Sequence, residues 1–458
     1  MIREELKKEI LEKVPEYDSE QVLWSDIREF MDLVEERDGF RVFDKAIQAA
    51  LDQYQCVKIP EMGETLYLDA PLIMRGGYKL SVAKCQRLSN IPGAEHCLIR
   101  NQNIENGFYH SVAHRKPDCD IVVEGGIWDG ACEKGKGCRF GVGSEEAIEG
   151  AMAIMIFSNI EQLVVKDAEF LGGGSNYAVQ ISNVKGFHVS GLTFIEFGRD
   201  GVHMNGPLIY GEVCGLKGRD MGDDMVAMNA WDWDTAAITF GSIQYLYVHD
   251  NESKNNEFRI LPGRKLYEDG YVDCDIHHCV IEGLSGIYTF KMYCQPNIMN
   301  AIDKNYHDVS GTVGNIYDVY FKDITIDEHR DSGFASIPVG SVFEVCADCH
   351  DIYFEDIRIA YTREEFECKG MHMMNVGPLS ATWKNGSEDP EKWGEVFDPD
   401  AVCSVRDIYF KNVQFTDGPW DSSRQMVYEI NMTLNQDYPG TTPRGGTGYG
   451  TARNIFVE

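Results

Sequence analysis

Residues 163–170 read Leu163-Val-Val-Lys-Asp-Ala-Glu-Phe170, and residues 187–194 read Phe187-His-Val-Ser-Gly-Leu-Thr-Phe194. Each stretch is a short apolar strand, one polar or glycine corner, and a second apolar stretch. The form appears earlier as Ile121-Val-Val-Glu-Gly-Gly-Ile-Trp-Asp-Gly130. It returns as Tyr245-Leu-Tyr-Val-His-Asp250, Val319-Tyr-Phe-Lys-Asp-Ile-Thr-Ile326, Ile352-Tyr-Phe-Glu-Asp-Ile-Arg-Ile359 and Ile408-Tyr-Phe-Lys-Asn-Val-Gln-Phe415. The corners Asp167, Gly191 and Gly215 lie 24 residues apart; the next, Asp250, follows after 35, so that turn carries an insertion of 11. A short-strand repeat with this period marks a solenoid, because one coil cannot bury its own apolar face and stacked coils share a core. No helical pattern separates the repeats, which excludes a βαβ sheet. A propeller blade needs about 40–45 residues, more than 24. The expected fold is all-β: a single right-handed parallel β-helix over residues 56–458.

Residues 1–55 have a different texture. Apolar residues recur at helical spacing in Asp26-Ile-Arg-Glu-Phe-Met-Asp-Leu-Val34, and Val42-Phe-Asp-Lys-Ala-Ile-Gln-Ala-Ala-Leu51 is the last good helical pattern. This segment is expected to cap the open end of the coil stack and protect its edge.

The chain has 458 residues, 43 % of them hydrophobic and 45 of them Gly, enough for a continuous core and many tight turns. A formal charge of −32 disfavours nucleic acid and anionic membranes as partners, since both call for a basic field. The N-terminal stretch lacks the apolar core of a secretory signal and no run of 18 apolar residues occurs, so the expectation is a cytoplasmic protein without membrane spans. The 14 cysteines are scattered, as free thiols in a reducing compartment would be. Cys346-Ala-Asp-Cys349 lacks the second pair of a zinc ribbon, and neither a metal nor a cofactor is called for.

The ruler of 24 has a chemical consequence. Asp200 and Asp224 are also 24 apart, so they should occupy the same position on successive coils, about 4.8 Å apart along the stack. Stepping back reaches Asn176; stepping forward by 35 reaches Arg259. Asp223 stands beside this column, and His203 closes Asp200-Gly-Val-His203. Stacked like charges cost stability. Two carboxylates held close also push one pKa upward, which makes an acid–base pair available. A solvent-exposed polar ladder at a coil corner would give the same spacing, so spacing alone leaves both readings open.

Gly198-Arg-Asp-Gly-Val-His-Met-Asn205 and Met221-Gly-Asp-Asp-Met-Val-Ala-Met-Asn229 resemble the N-T-D-G and G-D-D-x-[IV]-A-[IL] motifs of polygalacturonase-like glycoside hydrolases (family 28) of the pectin-lyase-like β-helix superfamily. The resemblance extends to the chain entry, Ala46-Ile-Gln-Ala-Ala-Leu51, Val57-Lys-Ile-Pro60 and Ile121–Gly130, and covers roughly residues 40–420. It implies an inverting glycosidase. Asp223 or Asp224 would protonate the leaving oxygen, while Asp200 and the remaining aspartate activate water, with acid and base further apart than in retaining enzymes. Two departures stand out. The family's Gly-His-Gly is replaced by Asn256-Glu-Phe-Arg-Ile-Leu-Pro-Gly263, and its Arg-Ile-Lys by Thr289-Phe-Lys291. A uronide substrate is therefore open, although Arg259 and Lys291 remain as candidate binders of a carboxylate or hydroxyls.

The insertion after Asp224 contains Ala230-Trp-Asp-Trp-Asp234. Trp231 and Trp233 are candidates to stack on sugar rings and Asp232 and Asp234 to bind hydroxyls; burial under the loop is the alternative for the tryptophans. Asn176 and His203 complete the candidate substrate-binding set, with Tyr288, Tyr293 and Glu257 as weaker members. The leading expectation is an exo-acting hydrolase of plant or microbial oligosaccharides. A β-helix polysaccharide lyase or epimerase and a non-catalytic carbohydrate-binding β-helix are the alternatives. The sequence leaves the oligomeric state open.

Overall fold

A computed structural model describes residues 3–94, 96–104, 116–131, 153–172, 177–219, 221–232, 238–267, 270–293, 314–328, 341–369, 371–376, 381–383, 394–396, 403–420, 430–431 and 450–458. Most of its strands belong to one sheet paired almost throughout in parallel, each coil bonding to the next. This is a parallel β-helix. The chain divides into two compact units, residues 1–227 with 234–239 and 245–254, and residues 228–233 with 240–244 and 255–458. Among the described residues no helix is long and apolar enough to cross a membrane.

In the first unit an inward column runs Val57, Leu80, Val123, Val165, Val189 and Val213, each paired in register with the next. All six are fully buried. Burying one such side chain contributes about 1.5–3 kcal/mol, so a column repeated on several faces outweighs the loss of chain freedom that coiling costs. The period of 24 is realised between strands Ala153–Lys166 and Tyr177–Ser190, where Ala153 pairs with Tyr177 and Lys166 with Ser190. The step of 35 is realised where Lys217 pairs with Glu252. All four corners read from the sequence adopt the left-handed backbone: Asp167 (φ 55°), Gly191 (63°), Gly215 (65°) and Asp250 (53°). Glycine and aspartate tolerate that region best, which is why they punctuate the repeat.

The first 55 residues are not helical throughout. Helices Arg3–Leu11 and Asp44–Tyr54 bury Leu6 and Ile10, and Ala46, Ile47, Ala50 and Leu51, respectively. Between them the chain already joins the sheet: Ser25 pairs with Val57, and Val42 with Tyr67.

In the second unit the repeats stack aromatic rings. Phe321, Phe354 and Phe410 form an inner stack with centroids 4.8 and 4.7 Å apart. Tyr320, Tyr353, Tyr409 and Phe456 form a parallel stack one residue away, at 4.6, 4.8 and 4.9 Å. Strand alternation sends neighbouring residues to opposite faces, so two adjacent aromatic positions per coil give two ladders. The longer step from Ile352 to Ile408 carries helix Arg363–Cys368, opened by a capping box between Thr362 and Glu365.

Candidate active site

Asp200 precedes strand Val202–Cys214, and Asp223 and Asp224 precede strand Val226–Asn229, all in the first unit. The stacking is direct: Gly201 N–H donates to Asp224 C=O at 3.0 Å and Ala178 N–H to Asp200 C=O at 3.1 Å. The motif glycines make this approach possible. A Cβ on Gly201 would meet the Met225 carbonyl at 2.7 Å, and one on Gly222 the Gly198 carbonyl at 2.5 Å. Any side chain at either position forces the two aspartate-bearing turns apart.

One carboxylate oxygen from each of Asp200, Asp223 and Asp224 lies within 4.8 Å of the other two. Asp200 and Asp224 are buried and Asp223 is half-buried, so Asp223 is the member that faces outward. Inverting glycosidases hold their carboxyls about 6.5–9.5 Å apart, retaining ones about 5–5.5 Å.

A buried polar chain fixes Asp200. Ile238 N–H donates to Asn205 Oδ1 at 3.3 Å, which identifies that atom as the amide oxygen and turns Nδ2 toward the His203 ring. Gln180 Nε2 donates to the same oxygen at 3.0 Å. Asn205 Nδ2 then donates to His203 Nε2 at 3.3 Å, so the ring proton sits on Nδ1 and is donated to Asp200 Oδ2 at 2.6 Å. Tyr177 stacks on the imidazole with centroids 4.0 Å apart. The other oxygen, Asp200 Oδ1, is buried and receives no hydrogen bond from the described protein atoms. His203 is itself fully buried, so it positions Asp200 rather than touching a sugar. Val179 pairs with Val202, a step of 23, before an irregularity between Ser182 and Val184 restores 24. Asn176, Trp233 and Asp234 lie outside the described residues.

Other expected sugar contacts turn inward. Trp231 is 0 % exposed and packs against Phe240 with centroids 6.1 Å apart. It cannot stack on a sugar without leaving the core, and its apolar neighbours Met228, Ala230 and Phe240 were the signal in the sequence. Asp232 is buried and accepts a hydrogen bond from Asn229 Nδ2 at 2.8 Å. In the second unit Trp231 N–H bonds to Leu261 C=O, so that part of the coil follows a shorter step.

Arg259 and Lys291 meet on a residue that carried little weight in the sequence, Glu257. Arg259 Nε donates to Glu257 Oε1 at 3.0 Å, Lys291 Nζ forms an ion pair with Oε2, and Tyr288 Oη reaches Oε2 at 3.4 Å. Burial pushes the Glu257 carboxyl upward, but the charges of Lys291 and Arg259 outweigh it and hold the group well below the usual carboxylate range. Lys291 is only 2 % exposed, so of the two cations only Arg259 has surface to offer a ligand. Glu257 and Arg259 are two apart on one strand and so share a face, the sequence signal for this triad.

No family model matches the chain, and no curated protein matches it by sequence. Among solved structures it is similar to a tailspike protein variant of the E. coli bacteriophage HK620 in complex with a pentasaccharide, at 12 % identity and a TM-score of 0.56 over 94 % of this chain and 65 % of the tailspike. It is also similar to a hyperthermoactive exopolygalacturonase from Thermotoga maritima, at 10 % identity and a TM-score of 0.48 over 91 % of this chain and 85 % of that one. The chain thus spans about two thirds of the length of that tailspike. Identities this low speak of architecture alone. The in-register parallel coils and the tailspike likeness together make the fold a parallel β-helix.

Proposed function

We propose that the chain is a glycoside hydrolase whose acid–base machinery is Asp200, Asp223 and Asp224. The observation that carries the reading is the convergence of three carboxylates within 4.8 Å, one of them oriented by a dedicated histidine. Carboxylates packed this closely raise the pKa of one of them, which suits an acid–base pair. Asp223, the half-buried member, is assigned the general acid that protonates the leaving oxygen, because it alone reaches outward. Asp200 and Asp224 hold and activate the attacking water; the unengaged Oδ1 of Asp200 is an acceptor suited to it. The tailspike that shares the fold was crystallised with a pentasaccharide, which agrees with a carbohydrate ligand for this architecture.

The motif resemblance favours inversion. Retention, through a glycosyl–enzyme ester, is the alternative stereochemical course. A screen of short oligosaccharides for new reducing ends tests the function, and NMR of the first-formed anomer separates the two stereochemical courses. An unsaturated, near-ultraviolet-absorbing product would replace hydrolysis by a lyase reaction. Sugar binding without any bond cleavage would reject the enzymatic reading.

A further inference from the structure

A second cluster lies on the outer face of the first unit, and the aspartate mechanism makes no use of it. In strands Tyr177–Ser190 and Val202–Cys214, His188 pairs with Glu212 and Ser190 with Cys214. One coil on, Gly215 N–H bonds to His249 C=O, which sets His249 beside Cys214. The side chains converge. His188 Nδ1 lies 2.7 Å from Glu212 Oε2, and His249 Nε2 lies 3.0 Å from Oε1 of the same carboxylate. One donor atom from each of His188, Glu212 and Cys214 falls within 4.8 Å of the other two. The Cys214 thiol is not in a disulfide.

Two further features separate this cluster from an ordinary surface ion pair. Each imidazole has its remote nitrogen engaged: His188 Nε2 with Ser190 Oγ at 2.7 Å, and His249 Nδ1 with Asp250 Oδ2 at 2.7 Å. Histidines that bind metals are held in this way, the outer partner fixing the tautomer and aiming the inner nitrogen. The cluster also borders a cavity of about 440 Å³, lined by His188, Ser190 and Glu212 and, from the N-terminal segment, by Leu11, Val14 and Tyr17. An ion has both donors and a way in.

We propose that His188, Glu212 and Cys214, with His249 as the fourth donor, bind a zinc ion. Two imidazoles, a carboxylate and a thiolate are a zinc donor set. Calcium and magnesium take oxygen ligands, and this site offers oxygen from one residue only. Binding displaces the thiol proton of Cys214 and the protons on the two imidazole nitrogens that face Glu212, to solvent or to the remote ring nitrogen, since a thiolate and unprotonated imidazole nitrogens are the ligands. The donors come from three successive coils, so the ion ties those coils together beneath the N-terminal segment. The site is independent of the glycosidase reading, and its test requires no substrate.

The test is a titration of the full-length, metal-stripped chain with Co²⁺ as a spectroscopic stand-in for Zn²⁺. The expected result is one equivalent bound with an intense thiolate-to-cobalt band in the near ultraviolet, lost when Zn²⁺ is added. Cys214→Ser should abolish that band, which distinguishes this thiol from the exposed Cys85, Cys119 and Cys368. Asp250→Asn changes an exposed carboxylate, leaves every donor in place and should weaken Zn²⁺ binding by about 10-fold or more through its hold on His249. A wild-type titration without the thiolate band overturns the proposal. So does a band that survives in Cys214→Ser, or an Asp250→Asn affinity equal to that of wild type.

Discussion

The two units treat buried acidic groups in opposite ways. In the first, Asp200, Asp223 and Asp224 crowd together, and the partner fixed on Asp200 is the single imidazole of His203. In the second, Glu257 is enclosed by Arg259, Lys291 and Tyr288, two of them cations. The first arrangement sets three carboxylates close together and leaves an oxygen of Asp200 available. The second satisfies its own charge. A crowd of like charges retained in a fold points to chemistry, whereas a neutralised buried carboxylate points to architecture. Both centres contain residues that the sequence marked for function; the structure separates their roles.

That contrast can be broken most forcefully at Glu257. Glu257→Ala strands Lys291 as a buried charge and should cost about 3–5 kcal/mol, the range for removing one partner of a buried pair. Denaturant unfolding checks it; a loss under about 1 kcal/mol would show the triad to be solvated instead. His203→Ala is the counterpart in the first unit. It removes a buried hydrogen bond to a carboxylate, worth about 1.5–3 kcal/mol, so kcat should fall about 10-fold or more while KM stays near wild type. An equal rise in KM would mean that His203 binds substrate directly.

The pH dependence sharpens the comparison more gently. Glu257 has its folded pKa depressed, so its contribution to stability is fully present above the unfolded value of about 4.3. It is lost as pH falls through the folded value, because the unfolded chain then binds more protons. Acid unfolding of wild type should therefore include a component that begins below about pH 4.3 and is absent in Glu257→Gln. Superimposable acid-unfolding curves would remove Glu257 from the account.

Much of this was legible in the sequence. Glycine and aspartate at fixed intervals located all four corners, because the left-handed backbone at a tight turn restricts which residues can stand there. The same ruler put Asp200 beneath Asp224, since coil stacking converts equal spacing into neighbourhood. The ruler failed where an insertion fell inside a coil: the step of 35 holds at Lys217 and Glu252 but has shortened at Trp231 and Leu261. Trp231 misled for a related reason. An inserted Trp-Asp-Trp-Asp stretch looks like a surface loop, yet Trp231 is held in the core beside Phe240. The charge triad joins Glu257 to Lys291 across a step that the ruler of 24 does not reach, whereas His188 and Glu212 stand 24 apart and lay within its reach.

If the aspartate cluster serves catalysis at a cost to stability, activity and stability should respond in opposite directions when one carboxylate is removed. Asp223→Asn should be purified beside wild type, with kcat on the oligosaccharide found by screening and the thermal midpoint recorded on the same samples. The account predicts kcat lower by at least about 10²-fold, the usual floor for losing a general acid, with the midpoint unchanged or raised because one of three crowded charges is gone. A kcat within about threefold of wild type, or a loss of activity that merely follows a lowered midpoint, would contradict it.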